Sequence, residues 1–390
     1  ITNNTVTVLR KLLAKLQNET VCIFLNSTDT SLNLIQTLKL QGRSKVFCSE
    51  KSVRKLKRAN FPDVSDTLGE LAAINIFTSR FYSAVDIDLD IKPHVIVLSD
   101  VIRAPYSMID PHTEVVQAIG RFRNGIAKAF HIANTSTNLQ CMTQTALTHK
   151  LENEESIYMQ VAGITPTNKI QEETLQQALA GMEIKRFITR EGKRNYFMWD
   201  NAWEDEKIKG YYRLPETLKT IYRTAPFQVA TYHLNYPITD EDRLRRESVR
   251  LNSKDLWREV TKQLAELKKC KSTDEASYLM EELGEEFAVM AKAFVLLGEE
   301  RIAQLDYNRK KIEAALGHLE ENRLLTSEKM KIAVYKRFHA GDIVEVAEVN
   351  AFMRQLITDQ GIPFDGRVDK KVIGLFFEIE ECKMKGNRGF

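Results

Sequence analysis

The first 135 residues alternate between short apolar runs and amphipathic segments. Residues 21–25 form a continuous apolar run of strand length, and further strand-length segments rich in apolar residues occur at 45–48, 74–78, 94–98 and 128–133. Runs without a polar face suit strands that are buried on both sides, as in a parallel sheet. One helical pattern, residues 6–16, precedes the first run, and others lie between the runs at residues 32–38 and 50–60. The alternation predicts βαβ units and a doubly wound parallel sheet of the α/β class.

The strand–helix rhythm stops at a polar linker, residues 134–138, and mostly helical patterns follow. A β-hairpin with a basic tip is predicted over residues 184–199, and a turn at residues 361–366. We therefore predict a sheet domain and then a mostly helical accessory region in three parts. The predicted ranges are 1–135 for the sheet domain, 136–240 for a mixed region with the hairpin, 241–330 for a helical bundle, and 331–390 for a small helical unit.

One short helix of the sheet domain carries two arginines near its end. Apolar residues recur at helical spacing within residues 113–125, and Gly125 supplies a stop. Arg121 and Arg123 are thereby presented close to a helix terminus, where fixed positive charge can meet a phosphate. The alternative is a solvated, arginine-rich helix end.

Two polar clusters directly follow predicted strands. In a doubly wound sheet, ligands bind at the carboxyl ends of the strands. Hydroxyl and backbone N–H groups at a helix start also form anion sites, although plain N-capping explains the first cluster equally well. The clusters comprise Asn26, Ser27 and Thr28, and Thr78, Ser79 and Arg80.

Charge is distributed unevenly along the chain. The net charge is +3, but residues 1–135 hold 17 Lys and Arg against 12 Asp and Glu, a surplus of five. The basic surplus coincides with the polar clusters and fits a phosphate-rich partner.

Composition bounds the protein class. The 43% hydrophobic and 28% charged content is that of an ordinary globular protein, and no apolar run reaches membrane-spanning length. The five cysteines form no CxxC pair, which favours reduced thiols, a cytoplasmic location and no metal site. The first residue is Ile rather than Met, so we expect further chain upstream.

The order and spacing of the motifs resemble motifs IV, V and VI in the second RecA-like domain of superfamily-two helicases and translocases. Residues 21–27 resemble motif IV, residues 78–87 resemble motif V, and residues 117–123, Gln-x-x-Gly-Arg-x-Arg, resemble motif VI. The resemblance covers about residues 1–135. Ala84 replaces the usual motif V glycine, and Asn124 holds the usual place of the second motif VI arginine.

The resemblance implies a role for each matching residue. Arg121 and Arg123 would act as arginine fingers toward the γ-phosphate of ATP, with Gln117 and Gly120 beside the nucleotide. Asp86 would touch either the ribose of the nucleotide or these two arginines. Both arginines reach one phosphate only if the helix ends near residues 120–122; otherwise Arg121 alone is the finger. The two polar clusters, Asn26 to Thr28 and Thr78 to Arg80, would hold a nucleic-acid backbone.

The resemblance also implies cofactor and partners. No Gly-x-x-x-x-Gly-Lys-Ser/Thr occurs in the sequence, so we expect ATP with Mg²⁺ to be bound mainly by a first RecA-like lobe outside it. We therefore expect the C-terminal portion of an ATP-dependent helicase, inactive as an ATPase by itself. Related motors sometimes use a hairpin as a strand-separating wedge, although a structural hairpin is the more economical interpretation of residues 184–199.

The nucleic-acid partner is expected to be DNA in slight preference to RNA, with no membrane partner. The preference rests on residues 331–390, which loosely resemble helix-turn-helix units of phage and plasmid replication proteins; a purely structural helical end is the alternative. The rival hypothesis for the whole chain is a non-motor nucleic-acid-binding or scaffold protein that retains a RecA-like lobe. An unrelated doubly wound enzyme is disfavoured, since neither Gly-x-Gly-x-x-Gly nor a nucleophile elbow is present.

Overall fold

A computed structural model describes residues 1–83, 85–248, 253–270, 274–362, 368, 370–380, 382–384 and 387–389. Ala84, at the motif V glycine position, and most of the turn predicted at residues 361–366 lie outside the described residues. The chain forms two compact units, Ile1–Leu244 and Arg245–Phe390.

The first unit contains a six-stranded, all-parallel sheet, which confirms the predicted α/β class. Five strands coincide with the five predicted apolar runs, and a two-residue strand, β3, was not predicted. The strands lie in the order β3-β2-β4-β1-β5-β6. They are β1 (Val21–Phe24), β2 (Ser44–Phe47), β3 (Val64–Ser65), β4 (Ile74–Phe77), β5 (His94–Ser99) and β6 (Lys128–Ala133).

Helices pack on the two faces of this sheet. They are α1 (Thr5–Lys15), α2 (Thr28–Thr37), α3 (Glu50–Arg58), α4 (Arg80–Ser83) and α5 (Glu114–Gly120). Side chains alternate along β1, so that Val21 and Ile23 join the core beneath α1, α2 and α3. Cys22 and Phe24 face the opposite core, which α4 and α5 cover.

The second core is rich in aromatic side chains. Phe24 stacks on Phe77 with ring centroids 5.4 Å apart, and it meets Tyr82 and Phe122 edge-on at 5.3 Å and 6.1 Å. Phe81 is fully buried in the same cluster. These rings fix the chain that follows β4 and the end of α5 against the same face of the sheet.

Helices follow the sheet in the first unit. They are α6 (Gln144–Ala162), α7 (Lys169–Gly181), α8 (Tyr196–Tyr211), α9 (Pro215–Thr224) and α10 (Asp240–Ser248), the last of which continues beyond Leu244. None of the helices among the described residues has a stretch long and apolar enough to cross a lipid bilayer.

The prediction of a β-hairpin over residues 184–199 was wrong. The segment forms a 3₁₀ helix, Glu183–Phe187, and the start of α8, with one antiparallel bridge between Ile188 and Arg194. Asn195 caps α8 by accepting a hydrogen bond from the Met198 N–H at 3.3 Å. Met198 and its neighbour pack into an apolar cluster with α6, so a capped helix replaces the strand that their β-propensity predicted.

The second unit is mostly helical among its described residues. It contains α11 (Ser253–Lys269), α12 (Asp274–Glu286), α13 (Ala288–Gln304), α14 (Arg309–Leu325), α15 (Glu328–Arg337), α16 (Val346–Asp359) and α17 (Lys370–Ile373). A short antiparallel pair follows, β7 (Cys382–Met384) and β8 (Asn387–Gly389). The chain from α15 to α17 shares one apolar cluster built around Met330, Val334 and Met353.

Candidate functional site

Helix α5 stops at Gly120, and the chain then turns back to the loop that precedes β5. Arg121 is the C-cap residue, and its carbonyl accepts a hydrogen bond from the Ile87 N–H at 2.8 Å. The Arg123 N–H in turn donates to the Ile87 carbonyl at 3.1 Å, which makes a parallel bridge between Ile87 and Phe122. Arg121 and Arg123 therefore flank the bridge residue Phe122, beyond the end of the helix.

Both guanidinium groups meet one carboxylate oxygen. The distance to Asp86 Oδ1 is 3.3 Å from Arg121 Nη1 and 2.6 Å from Arg123 Nη2. Arg121 also donates from Nε to the Gln117 carbonyl at 3.2 Å, so its side chain lies back along α5. Its side chain is 22% exposed, whereas those of Arg123 and Asp86 are both 54% exposed. The geometric condition for two arginines acting at one phosphate is thus met.

The arginine pair has the geometry of an anion site. An anionic oxygen already sits between the two guanidinium groups in the form of the Asp86 carboxylate, and planar guanidinium groups bind carboxylate and phosphate in the same manner. Gln117 and Gly120 are exposed on the same short helix. A Cβ at Gly120 would meet no other atom within 4 Å, so a ligand or partner can approach the backbone there.

The loop residue Asn124 anchors the turn that follows the arginine pair. Its Nδ2 donates to Asp88 Oδ1 at 2.7 Å and to the Leu89 carbonyl at 2.9 Å. Gly125 follows with a φ of +82°, which a residue with a side chain rarely adopts. Asn124 and Gly125 together therefore fix the turn directly after Arg123.

A second feature is a polar cleft of about 760 Å³ at the carboxyl ends of neighbouring strands. It brings together all six residues of the two predicted polar clusters, Asn26 to Thr28 and Thr78 to Arg80. The other lining residues are Asp29, Ser49, Lys51, Ser52, Arg54, Lys55, Arg58 and Tyr106. Five cationic side chains and one carboxylate give this cleft a net charge of +4.

Two helix N-termini open into the cleft. Ser27 caps α2 by accepting from the Thr30 N–H at 3.1 Å, and Ser49 caps α3 by accepting from the Ser52 N–H at 3.4 Å. The first turns are joined by a hydrogen bond from the Thr28 hydroxyl to Ser52 Oγ at 3.2 Å. Helix starts carry partial positive charge, so both add to the attraction for an anion.

Helix α3 contributes most of the formal charge. Lys51, Arg54, Lys55 and Arg58 are spaced i, i+3, i+4 and i+7, which places them on one face of the helix. Lys55 reaches Asp29 of α2 at 2.6 Å, and Arg54 pairs with Glu50. Both ion pairs are exposed, and such pairs are worth about 0–1 kcal/mol, so phosphates can exchange with the carboxylates at little cost.

The cleft residues outside the two predicted polar clusters differ in how far the sequence indicated them. The basic face of α3 was visible as i, i+3, i+4, i+7 charge spacing, but nothing in the sequence placed that face beside the two polar clusters. No sequence pattern singled out Tyr106, which lies in a 3₁₀ helix, Pro105–Ser107, after β5.

Cys48, a buried core residue directly after β2, has no nucleophilic role at neutral pH. Burial raises the pKa of the Cys48 thiol to about 11, the charge of Asp66 adds to the increase, and Arg80 opposes it. The thiol is therefore protonated, and the chemistry of the cleft comes from its cations, hydroxyl groups and helix starts.

One short connection serves both features. The chain after β4 supplies Thr78, Ser79 and Arg80 to the cleft, forms α4, and then supplies Asp86 to the arginine pair. Phe81 and Tyr82 anchor the connection in the aromatic core. A displacement of this connection would therefore move groups of both features together.

Comparison of the sequence with models of known protein families and with curated proteins finds no match. The functional assignment accordingly rests on the motifs and on the geometry of these two features.

Proposed function

We propose that this chain supplies the second RecA-like lobe of an ATP-dependent helicase or translocase that acts on nucleic acid. The observation that carries the proposal is the convergence of Arg121 and Arg123 on a single carboxylate oxygen. A pair of fixed guanidinium groups at a domain surface is the arrangement that an arginine-finger role requires. The proposed first lobe, which would hold ATP and Mg²⁺, lies outside this chain.

The arginine pair would act on the phosphate end of the nucleotide. ATP supplies a phosphoryl group whose transfer builds charge on its oxygens, and arginine fingers that neutralise this charge contribute about 10³–10⁵ in rate. In this chain, Asp86 orients both guanidinium groups before the lobes meet. Gln117 and Gly120, on the helix that carries the pair, would face the nucleotide from the same side.

The polar cleft would hold the nucleic-acid backbone. Phosphate contacts from hydroxyl groups, helix starts and cations position a strand without reading its sequence. Asn26, Ser27 and Thr28 line one part of the cleft, and Thr78 and Ser79 line another. The connection after β4 would link nucleotide state to strand position, since it contributes to both features.

The proposal is tested by ATP hydrolysis in the complete gene product that contains this chain, with and without single-stranded DNA. We expect DNA-stimulated hydrolysis, which falls at least about 10³-fold when Arg121 and Arg123 are both changed to Ala. Binding of a fluorescent oligonucleotide should stay within about twofold of wild type, because the pair lies outside the cleft. The 390-residue chain alone should bind the oligonucleotide without hydrolysing ATP.

Arg43→Ala is the matched control, because Arg43 is exposed and belongs to neither feature. It should leave hydrolysis unchanged. Stimulated hydrolysis that survives in the double Arg variant would overturn the finger assignment. DNA binding without any hydrolysis by the complete gene product would instead favour the non-motor binding or scaffold protein.

A further inference from the structure

Tyr106 is an exposed aromatic side chain on the wall of a cationic cleft. It is 59% exposed, yet it lines the cleft beside the start of α2. An aromatic ring contributes nothing to phosphate binding by charge. It does offer a flat face on which a nucleobase can stack.

The ring is held in place. Its hydroxyl lies 3.2 Å from Ser27 Oγ, and its backbone carbonyl accepts a hydrogen bond from Asn26 Nδ2 at 3.2 Å. Pro105 precedes Tyr106, and Ser107 follows it. The Ser107 hydroxyl accepts a hydrogen bond from the Asp100 N–H at 2.8 Å, and the Ser107 carbonyl accepts one from Ser99 Oγ at 3.0 Å. A ring fixed before binding loses little conformational entropy when a base stacks on it.

The neighbours of the ring supply the complementary contacts. The cleft combines this single aromatic face with cations from α3 and with Arg80. Cations that follow the backbone, together with an aromatic face for a base, are the combination by which proteins bind single strands without sequence preference. The bases of a duplex are already stacked on one another, so a duplex could use only the phosphate contacts.

We propose that Tyr106 is a stacking platform that makes the cleft selective for single-stranded nucleic acid. This inference rests on the proposed function, since it assigns a substrate class to the same cleft. It adds a specificity-determining residue that none of the helicase-like motifs contains.

The test compares two single-stranded DNA oligonucleotides of equal length and charge, a thymidine oligomer and one in which every base is missing. Dissociation constants for the 390-residue chain are measured by fluorescence anisotropy. Stacking of one base on an aromatic side chain is worth about 1–3 kcal/mol, so wild type should prefer the base-bearing strand by roughly 5- to 150-fold. Tyr106→Ala should bind both strands with the affinity that wild type shows for the abasic strand.

Tyr106→Phe separates stacking from the hydroxyl contact with Ser27. It removes the hydrogen bond but keeps the ring, so it should retain most of the preference for the base-bearing strand. Using both strands with each variant forms a double-mutant cycle, which cancels the greater flexibility of the abasic backbone.

The outcomes separate this inference from the proposed function. Equal affinity of wild type for the two strands, or a base preference that survives in Tyr106→Ala, would overturn the stacking role. The double variant Lys51→Ala with Arg58→Ala should lower the affinity for both strands by the same factor. If this double variant binds both strands with wild-type affinity, the cleft is not the nucleic-acid site, and the backbone contacts in the proposed function are wrong as well.

Discussion

The basic face of α3 leads to a quantitative prediction about salt. Lys51 and Arg58 lie at opposite ends of that face, both line the cleft, and both are exposed. Changing both to Ala removes two charges and leaves the packing of the helix intact, since Leu56 is its buried residue. Alanine also has the highest helix propensity, so the helix should persist.

The expected magnitude follows from the net charge of +4 in the cleft. For single strands, the logarithm of the binding constant falls with the logarithm of salt concentration with a slope of about −0.7 per neutralised phosphate. Four phosphates give a slope of about −2.8 for wild type, and two give about −1.4 for the double variant. Between 50 and 200 mM salt, wild type should lose about 50-fold in affinity and the variant about 7-fold.

The assay is fluorescence anisotropy with a labelled thymidine oligomer at four or more salt concentrations. Lys57→Ala is the matched control, because Lys57 is exposed on the same helix but lies about 100° around it from Arg58, outside the cleft. Its slope should match that of wild type. A wild-type slope in the double variant would contradict a role of these two charges in phosphate binding. So would a Lys57→Ala slope that falls as much as that of the double variant.

Three further predictions concern stability. Burial, together with the charge of Asp100, raises the pKa of Asp240 to about 7. The folded state therefore retains a proton that the unfolded chain releases near pH 4. The free energy of unfolding should accordingly fall as pH rises from about 4 through 7. Urea unfolding at several pH values should show this decline in wild type and a much flatter profile in Asp240→Asn. Phe24→Ala should cost about 3–5 kcal/mol of unfolding free energy in the same assay, because the fully buried Phe24 ring is the centre of the aromatic core. Asn195→Ala should cost about 0.5–2 kcal/mol, because it removes the cap of α8, and Asn195→Ser should restore most of it.

The long strands of the sheet were predictable because each is a short segment rich in apolar residues, and β1 and β4 are buried along their whole length. Strand β3 was not predicted because it consists of only two residues, Val64 and Ser65, and lies in no apolar segment. The hairpin prediction failed for the opposite reason: aromatic residues that favour strands were read without weighing Asn195 as a cap. Local capping and tertiary packing overrode an intrinsic β-propensity.

The sequence predicted some of the residues that line the cleft but not the others. Ligands bind at the carboxyl ends of parallel strands, which is why the polar clusters after β1 and β4 were both predicted to be binding residues. The order β2-β4-β1-β5 places α3 on one side of those clusters and Tyr106 on the other. Strand order is set by long-range pairing, and neither spacing nor composition reveals it; a charged helix face therefore resembled any solvated surface until its neighbours were known.

The arginine pair shows how one local detail decides a site. On a continuing helix, residues two apart point about 160° from each other, and Arg121 and Arg123 would diverge. Helix α5 ends at Gly120, Phe122 bridges to Ile87, and both arginine side chains then reach Asp86. Phe122 is also buried in the aromatic core, edge-on to Phe24, so the packing that ends the helix is the packing that aims the charges. The two-residue spacing is therefore compatible with a shared phosphate because of the bridge, and a change that frees Phe122 from the core should separate the arginines even where both remain in the sequence.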